Sequence, residues 1–281
     1  MSGALWCAAN LSEGRDPEVI DSLRTAAGDC LADVHRDADH NRSVLTLVGR
    51  SDSVLDSVLA VAAVAVASID LAAHHGVHPR IGAIDVVPFT GLFATQLTEA
   101  VEAREVAIRR LGSMGLPVFR FGPLPDGTTR SLPELRRGAF SSIAPDAGPR
   151  DAHPRAGAVA VGARGALVAW NAWIHGATLE ATRSIAASVR SPAVRALGFE
   201  VQGATQVSCN LLEPARVTPK DVYGCIEAAL PAEAHIVRCE LVGLLPASTL
   251  DAVPEGWWER VDLSQDRAVE VRAASLGLTP G

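Results

Sequence analysis

The stretch Leu5-Trp6-Cys7-Ala8-Ala9-Asn10-Leu11-Ser12-Glu13-Gly14-Arg15-Asp16-Pro17 sets the architecture. Leu5 to Ala9 reads as a strand and Asn10 to Arg15 as a polar turn. Asp16 then Pro17 reads as an N-cap followed by proline at the first helical position. The helix runs to about Ala27 and stops near Gly28. The same grammar recurs downstream. Val44 to Val48 is a second strand, and Ser51 or Ser53 opens a long helix to about Ala73. Ile84 to Phe89 is a strand closed by Pro88, Glu99 to Leu111 a helix stopped by Gly112, and Val118 to Phe121 a short strand.

Gly122 to Pro154 breaks the pattern. It is rich in Pro, Gly, Ser and Arg, with a short helix expected at Leu132 to Arg137, and reads as a long surface excursion of functional character. Ala158 to Val161 and Ala166 to Trp173 then form an expected hairpin around Gly162 to Gly165. A helix at Leu179 to Val189, a long strand at about Val201 to Leu212 and a strand at His235 to Leu244 follow. Thr218-Pro219-Lys220-Asp221 is a capping box that opens a helix to about Ala229. Strands alternating with helices predict an α/β fold of the α+β type, helices packed on sheets, in two subdomains covering 1–174 and 175–281.

Composition narrows the function. The 281 residues are 48% hydrophobic and 20% charged, a globular balance with enough chain for one or two cores. A net charge of −7 without a Lys/Arg cluster argues against a nucleic-acid partner. Lys220 is the single lysine among 25 basic residues, which disfavours Schiff-base chemistry and favours bidentate recognition of anions by arginine. The five cysteines form no CxxC pair, so neither a disulfide framework nor a structural zinc site is expected. No signal peptide is read at the N-terminus, and Val54 to Ala67 is too short and Ala-rich for a membrane span. The expectation is a cytoplasmic protein without a membrane partner.

Five segments carry chemistry. In Ala73-His74-His75-Gly76-Val77-His78-Pro79-Arg80-Ile81-Gly82-Ala83-Ile84-Asp85, three of the eight histidines fall within five residues. Pro79 holds His78 extended, and Arg80 adds a cation. Acid–base catalysis, helix capping and metal binding by His74 and His78 all remain open on spacing alone. The stretch Asp33 to Ser43 gathers three carboxylates, two histidines and two arginines, either a ligand loop or a solvated turn. The turn Asn10 to Arg15 suits an anion if a helix starts there, though a plain turn serves equally. Gly157 to Gly165 places small residues around Arg164, where a flat ligand or an ordinary hairpin would fit. Gln206 and Asn210 alternate along a strand and share one side.

Taken together, these segments resemble the formiminotransferase domain of glutamate formimidoyltransferases, also the N-terminal half of formiminotransferase–cyclodeaminases. The matching pieces are Asn10 to Arg15, Asn41-Arg42-Ser43-Val44, His74 to Asp85, Gly157 to Arg164, Gln206 to Leu212 and Leu241-Val242-Gly243-Leu244. The resemblance implies two α/β subdomains with facing mixed sheets, outer helices, a ligand tunnel between them and a homodimer. It implies transfer of a formimino group from N-formimino-L-glutamate to N5 of tetrahydrofolate, a co-substrate, with no metal required. The family's catalytic histidine falls on His78, and its folate-binding stretch on Gly157 to Ala166. Asn10, Glu13, Arg15, His35, Asp39, Asn41, Arg42, Arg80, Gly82, Gly157, Ala158, Gly162, Ala163, Arg164, Gln206 and Asn210 are the implied substrate and folate contacts. Three positions depart: Val77 stands where the family often has glutamate, His35 where it often has aspartate, and Gly165 where some members are basic. Two alternatives stay open on the same scaffold. One is another folate one-carbon reaction, such as ATP-dependent 5-formyltetrahydrofolate cyclisation; the other is non-catalytic folate binding.

Overall fold

Successive side chains of a strand point to opposite sides of its sheet, and strand β1 (Ala4–Leu11) obeys this cleanly. Leu5, Cys7, Ala9 and Leu11 are fully buried in an apolar core, whereas Trp6, Ala8 and Asn10 face the other way. The computed structural model describes residues 3–76, 79–201 and 203–280. After β1, Asp16 caps helix α1 (Pro17–Ala27), its carboxylate accepting the N–H groups of Glu18 at 2.9 Å and Val19 at 3.3 Å.

The chain divides into two units, Met1–Arg164 with Leu276–Gly281, and Gly165–Ser275. The first holds a seven-stranded mixed sheet in the order β2-β3-β1-β4-β7-β5-β6. Its strands are β1, β2 (Leu31–Asp37), β3 (Arg42–Arg50), β4 (Ile84–Gly91), β5 (Val118–Pro123), β6 (Thr129–Arg130) and β7 (Val159–Ala163). Pairing is antiparallel from β2 to β4 and parallel where β7 lies between β4 and β5. Helices α1, α2 (Ser51–Ser68) and α3 (Leu97–Ser113) pack on one face with Leu45, Leu47, Val87, Phe89, Val159 and Val161. By length and a mean hydropathy of 1.5, α2 is apolar enough to cross a membrane. Here Val54, Val58, Val61, Ala62 and Ala65 are spent in that core. On the opposite face, α4 (Leu132–Gly138) covers Val86, Phe119 and Ala160 with Leu135.

The second unit holds an antiparallel sheet in the order β11-β8-β10-β9. Its strands are β8 (Val168–His175), β9 (Val194–Val201), β10 (Ala204–Leu211) and β11 (His235–Val242). Helices α5 (Leu179–Ser188), α6 (Pro219–Ala228), α7 (Ala247–Asp251) and α8 (Val269–Ser275) belong to this unit. Trp170, Val207, Cys209 and Leu211 form its core with residues of α5 and α6. The Trp170 indole N–H donates to the Val261 carbonyl at 2.8 Å, so the buried ring leaves no polar group unmet.

Several expectations are corrected. The 158–161 and 166–173 segments are both strands but form no hairpin: β7 pairs in parallel with β4 and β5, and β8 joins the other sheet. The division of the chain therefore falls after Arg164, and the expected edge at 174 lies inside β8. Asp33 to Asp37, the start of the stretch read as a ligand loop or a solvated turn, lie in the edge strand β2. Its charges suit an edge, where apolar alternation is not demanded and charge discourages pairing with another chain. The long strand from Val201 is the second arm of a hairpin with β9. α2 ends at Ser68 rather than near Ala73. β4 continues through Pro88 to Gly91, and α3 runs past Gly112 to Ser113.

Three backbone segments converge beside the head of β4. Ser12 donates its N–H to the Ala83 carbonyl and its hydroxyl to the Gly82 carbonyl, at 2.8 and 2.7 Å. Ala83 donates to Ala156 at 2.9 Å, and Ala158 to Ile81 at 2.8 Å. Gly82 and Gly157 form an antiparallel bridge in which a Cβ on Gly82 would strike the Ala158 carbonyl. Gly157 has φ +67, and a Cβ there would strike the Ile81 carbonyl. Gly82→Ala is therefore expected to lower stability by about 1–3 kcal/mol through overpacking against backbone. Urea unfolding measures this, and an unchanged midpoint would mean that the two backbones do not approach this closely.

Candidate functional site

The β-register sets one row across the first sheet: His35 opposite Val44, Val44 opposite Asn10, Asn10 opposite Val86, and Val86 beside Ala160. Asn10 turns its amide back to the Ala8 carbonyl at 3.0 Å. At the end of this row the β1–α1 and β2–β3 loops interlock. Asn41 adopts a positive φ of 47, accepts the Gly14 N–H at 2.9 Å and donates to the His75 carbonyl at 3.2 Å. Left-handed backbone of this kind is one that asparagine tolerates better than most residues. Glu13 accepts the N–H groups of Arg15 and Asp16 at 2.7 and 2.9 Å, and Arg15 reaches the Ala38 carbonyl at 2.8 Å. Asp39 contributes a backbone N–H to the Asp37 carboxylate at 2.8 Å.

Asp37 is the hub of this turn. It also accepts the backbone N–H of His40 at 2.9 Å and lies 2.6 Å from its Nδ1. Burial alone would raise its carboxyl pKa; the hydrogen bonds from the His40 ring and backbone, then the His40 charge and the Asp39 N–H, hold it down to about 2. Around it stand arginines. Arg80 donates to the carbonyls of Asn41 and His40 at 3.0 and 2.9 Å and packs against the His74 ring at 2.8 to 2.9 Å. Burial, reinforced by the Arg80 charge, pushes the His74 imidazole below its ordinary value despite Glu13. Arg42 reaches Asp85 at 3.4 Å. Burial draws Arg42 down to about 10, with Asp85 opposing and Arg136 and Arg80 assisting, so it stays charged near neutral pH. His78, the expected catalytic histidine, and Val77 lie outside the described residues.

The glycine-rich stretch has two kinds of surroundings. Ala158 is buried and hydrogen-bonded to Ile81. A Cβ on Gly162 would enter the Phe121 ring, so this glycine makes room for an aromatic side chain of the same sheet. Ala163 turns its methyl into the helix-packed core and is fully buried. Arg164 follows β7 and donates its N–H to Phe89 at 3.1 Å.

In the second unit, the sheet face opposite the core carries Gln206, Ser208 and Asn210 of β10. Beside them stand Asn171 and Trp173 of β8 and Arg238 and Glu240 of β11. Glu240 accepts from Asn171 at 3.2 Å and from the Trp173 indole at 3.0 Å, and the Arg238 guanidinium lies 4.1 Å from the Trp173 ring centre. Asn210 is exposed. Gln206 is fully buried, and neither its carbonyl oxygen nor its amide nitrogen has a hydrogen-bond partner.

Asp85 closes the histidine segment read from the sequence, whereas Arg136, Trp173 and Glu240 lie outside the sequence-derived set. Asp85 is 1% exposed, and it takes Ile81 N–H at 2.7 Å and Arg136 at 2.6 Å. The signal for Arg136 is indirect: Ser131 and Glu134 form a capping box that sets α4 and so aims it. Among the described residues no group of three or more His, Cys, Asp or Glu is placed to hold a metal ion.

The comparisons agree with this anatomy. A family model for the N-terminal subdomain of the formiminotransferase domain matches residues 4–164, ending where the first unit ends. The chain belongs to the formiminotransferase family. It is accordingly a transferase. The glutamate formimidoyltransferase of Streptococcus pyogenes serotype M1 is 32% identical over 295 residues, covering 96% of this chain and 98% of that one. The formimidoyltransferase-cyclodeaminase of Sus scrofa is 34% identical over 283 residues, 89% of this chain and 51% of that one. The glutamate formimidoyltransferase of Thermoplasma acidophilum is 32% identical, covering 87% of this chain and 88% of that one.

Two outcomes follow for this family member. A buried amide without partners costs about 1–3 kcal/mol, so Gln206→Leu is expected to raise stability by about 1 kcal/mol in urea unfolding; a fall would show that Gln206 has a partner in the folded state. The depressed Asp37 pKa makes a stabilising contribution that is complete above the ordinary carboxyl value of 3.8 and lost as pH falls toward about 2. Asp37→Asn should therefore narrow the stability difference between pH 5 and pH 2 by on the order of 1–2 kcal/mol, which acid titrations of both proteins would measure.

Proposed function

We propose that this chain transfers the formimino group of N-formimino-L-glutamate to N5 of tetrahydrofolate, which serves as co-substrate. The observation that carries the reading is the match, end to end on both chains, to a protein named glutamate formimidoyltransferase. The chemistry asks for few parts. N5 attacks the amidine-like formimino carbon, the carbon–nitrogen bond to glutamate breaks, one proton leaves N5 and one reaches the departing nitrogen. One imidazole with a pKa near neutrality can do both in turn. His78, before Pro79-Arg80, is the group we assign to that role. Holding both substrates together supplies the entropic part of the acceleration. Both are acidic, and Arg42 and Arg80 with Arg15 and Arg164 offer planar cations for their carboxylates. The reaction needs neither a metal nor a covalent nucleophile.

A coupled spectrophotometric assay with formiminoglutamate and tetrahydrofolate tests the reading. Formation of 5-formiminotetrahydrofolate is expected without a nucleotide; a requirement for ATP with 5-formyltetrahydrofolate would move the chain to the cyclisation reaction. Folate binding without turnover on any one-carbon donor would make it a binding protein. His78→Ala is expected to lower turnover by roughly 10² or more while tetrahydrofolate still binds, and wild-type rates in that variant would remove His78 from the mechanism.

A further inference from the structure

One exposed aromatic side chain is held in strained backbone. Phe140 lies on the turn after α4, is 41% exposed and has a φ of 61. An exposed apolar side chain is ordinary by itself, but a bulky residue in left-handed backbone carries strain that its surroundings must impose. They do so here. The N–H groups of Ser141, Ser142 and Ile143 all donate to the Gly138 carbonyl at 2.8 to 3.0 Å, and the Phe140 N–H donates to the Ile143 carbonyl at 3.0 Å. A Cβ on Gly138 would strike the Ile143 side chain, so the turn closes tightly on the end of the helix. The ring of Phe140 is thereby set edge to face with Phe119, centroids 4.9 Å apart and planes at 89°.

Phe119 joins this turn to the row that crosses the first sheet. Asn10 stands opposite Val86, Val86 beside Ala160, and Ala160 beside Phe119. Val86, Ala160 and Phe119 pack together under α4, and Phe119 is fully buried, so Phe140 carries the row out to solvent. Three strand spacings separate Asn10 from Phe119, about 14 Å. The same helix sends Arg136 to Asp85 at 2.6 Å, and Phe140 follows four residues later. A ligand that meets both the polar groups near Asn10 and the ring of Phe140 is long and carries a flat ring. N-formimino-L-glutamate is short and has no ring; a folate has the length and two flat rings.

We infer that Phe140 is a specificity-determining residue whose ring stacks on a flat ring of the folate co-substrate. The inference rests on the proposed reaction for the identity of that ligand. The pterin and the aminobenzoyl ring share the stacking chemistry. The strained turn then has a use: it presents the ring before the ligand arrives, so that little ordering is left to the binding step. Phe140 lies outside every segment that carries the family resemblance.

Calorimetric binding to the full chain tests this without turnover. Phe140→Leu keeps apolar bulk against Phe119 and loses the ring. Its Kd for tetrahydrofolate is expected to rise about tenfold, with the Kd for N-formimino-L-glutamate unchanged, and Phe140→Tyr is expected to bind both as the natural chain does. Tetrahydropterin and p-aminobenzoyl-L-glutamate identify the ring: the fragment whose Kd rises with that of tetrahydrofolate is the one stacked, and either answer supports the inference. Equal weakening of tetrahydrofolate and N-formimino-L-glutamate would mean that Phe140 only braces the turn, and unchanged tetrahydrofolate binding in Phe140→Leu would mean that no ring meets it; each overturns the inference. Should the leucine variant not fold, Phe140→Gly removes the ring and relieves the left-handed strain, and the same selective loss is expected. A natural chain that binds no tetrahydrofolate overturns both this inference and the proposed reaction. Phe140-dependent folate binding in a chain that transfers no formimino group leaves the inference standing and sinks the reaction.

Discussion

A carboxylate shut away from water must be met by donors, and in this protein that requirement falls on Asp85. With 1% of its surface exposed, it draws together the Ile81 backbone, Arg42 at the start of β3 and Arg136 on α4. These groups are far apart in the chain, and nothing else on the described residues joins all of them at one atom pair. A buried charge stripped of its partners is strongly destabilising, whereas an ion pair kept whole adds little net stability. The arrangement is therefore better understood as a device for placement than as a source of stability. It fixes where positive charge stands on a chain whose overall balance is −7.

The surrounding backbone explains why so polar a cluster can be held still. Ser12, Gly82, Ala83, Ala156 and Ala158 are stitched by hydrogen bonds of 2.7 to 2.9 Å, and two glycines let the strands meet without Cβ atoms between them. Asn41, in left-handed conformation, ties the β1–α1 loop to the segment that carries the histidines. The second unit has a different character. Its polar face is organised by Glu240, which collects an amide and an indole, and it leaves the Gln206 amide unsatisfied.

What could be seen in the sequence was what local chemistry controls. Asp16-Pro17 and Thr218-Pro219 announce helix starts through capping groups that act within three residues, and the structure has both. What could not be seen depends on distant partners. β2 and β9 lie at sheet edges, where one side is unpaired and the apolar alternation that marks a strand is weak. β7 and β8 follow one another closely, which suggests a hairpin, yet each finds its neighbours elsewhere in the chain. The arginine-rich loops were legible as candidate anion sites, but nothing local separates Arg136 from Arg137; only the packing of α4 aims one of them at Asp85. Gly162 reads as a site for a flat ligand, and its neighbour is the Phe121 ring.

The place of β7 in its sheet has a kinetic side. It lies between β4 and β5, though it comes after both in the chain. The parallel half of the sheet cannot zip up until residues near the end of this unit are available, and β5 has no strand on its β4 side before then. Contacts of such long sequence separation carry a loop-closure cost that slows folding. During synthesis the antiparallel β2-β3-β1-β4 portion can assemble first, with β4 as a temporary open edge, and insertion of β7 would be the step that commits the rest.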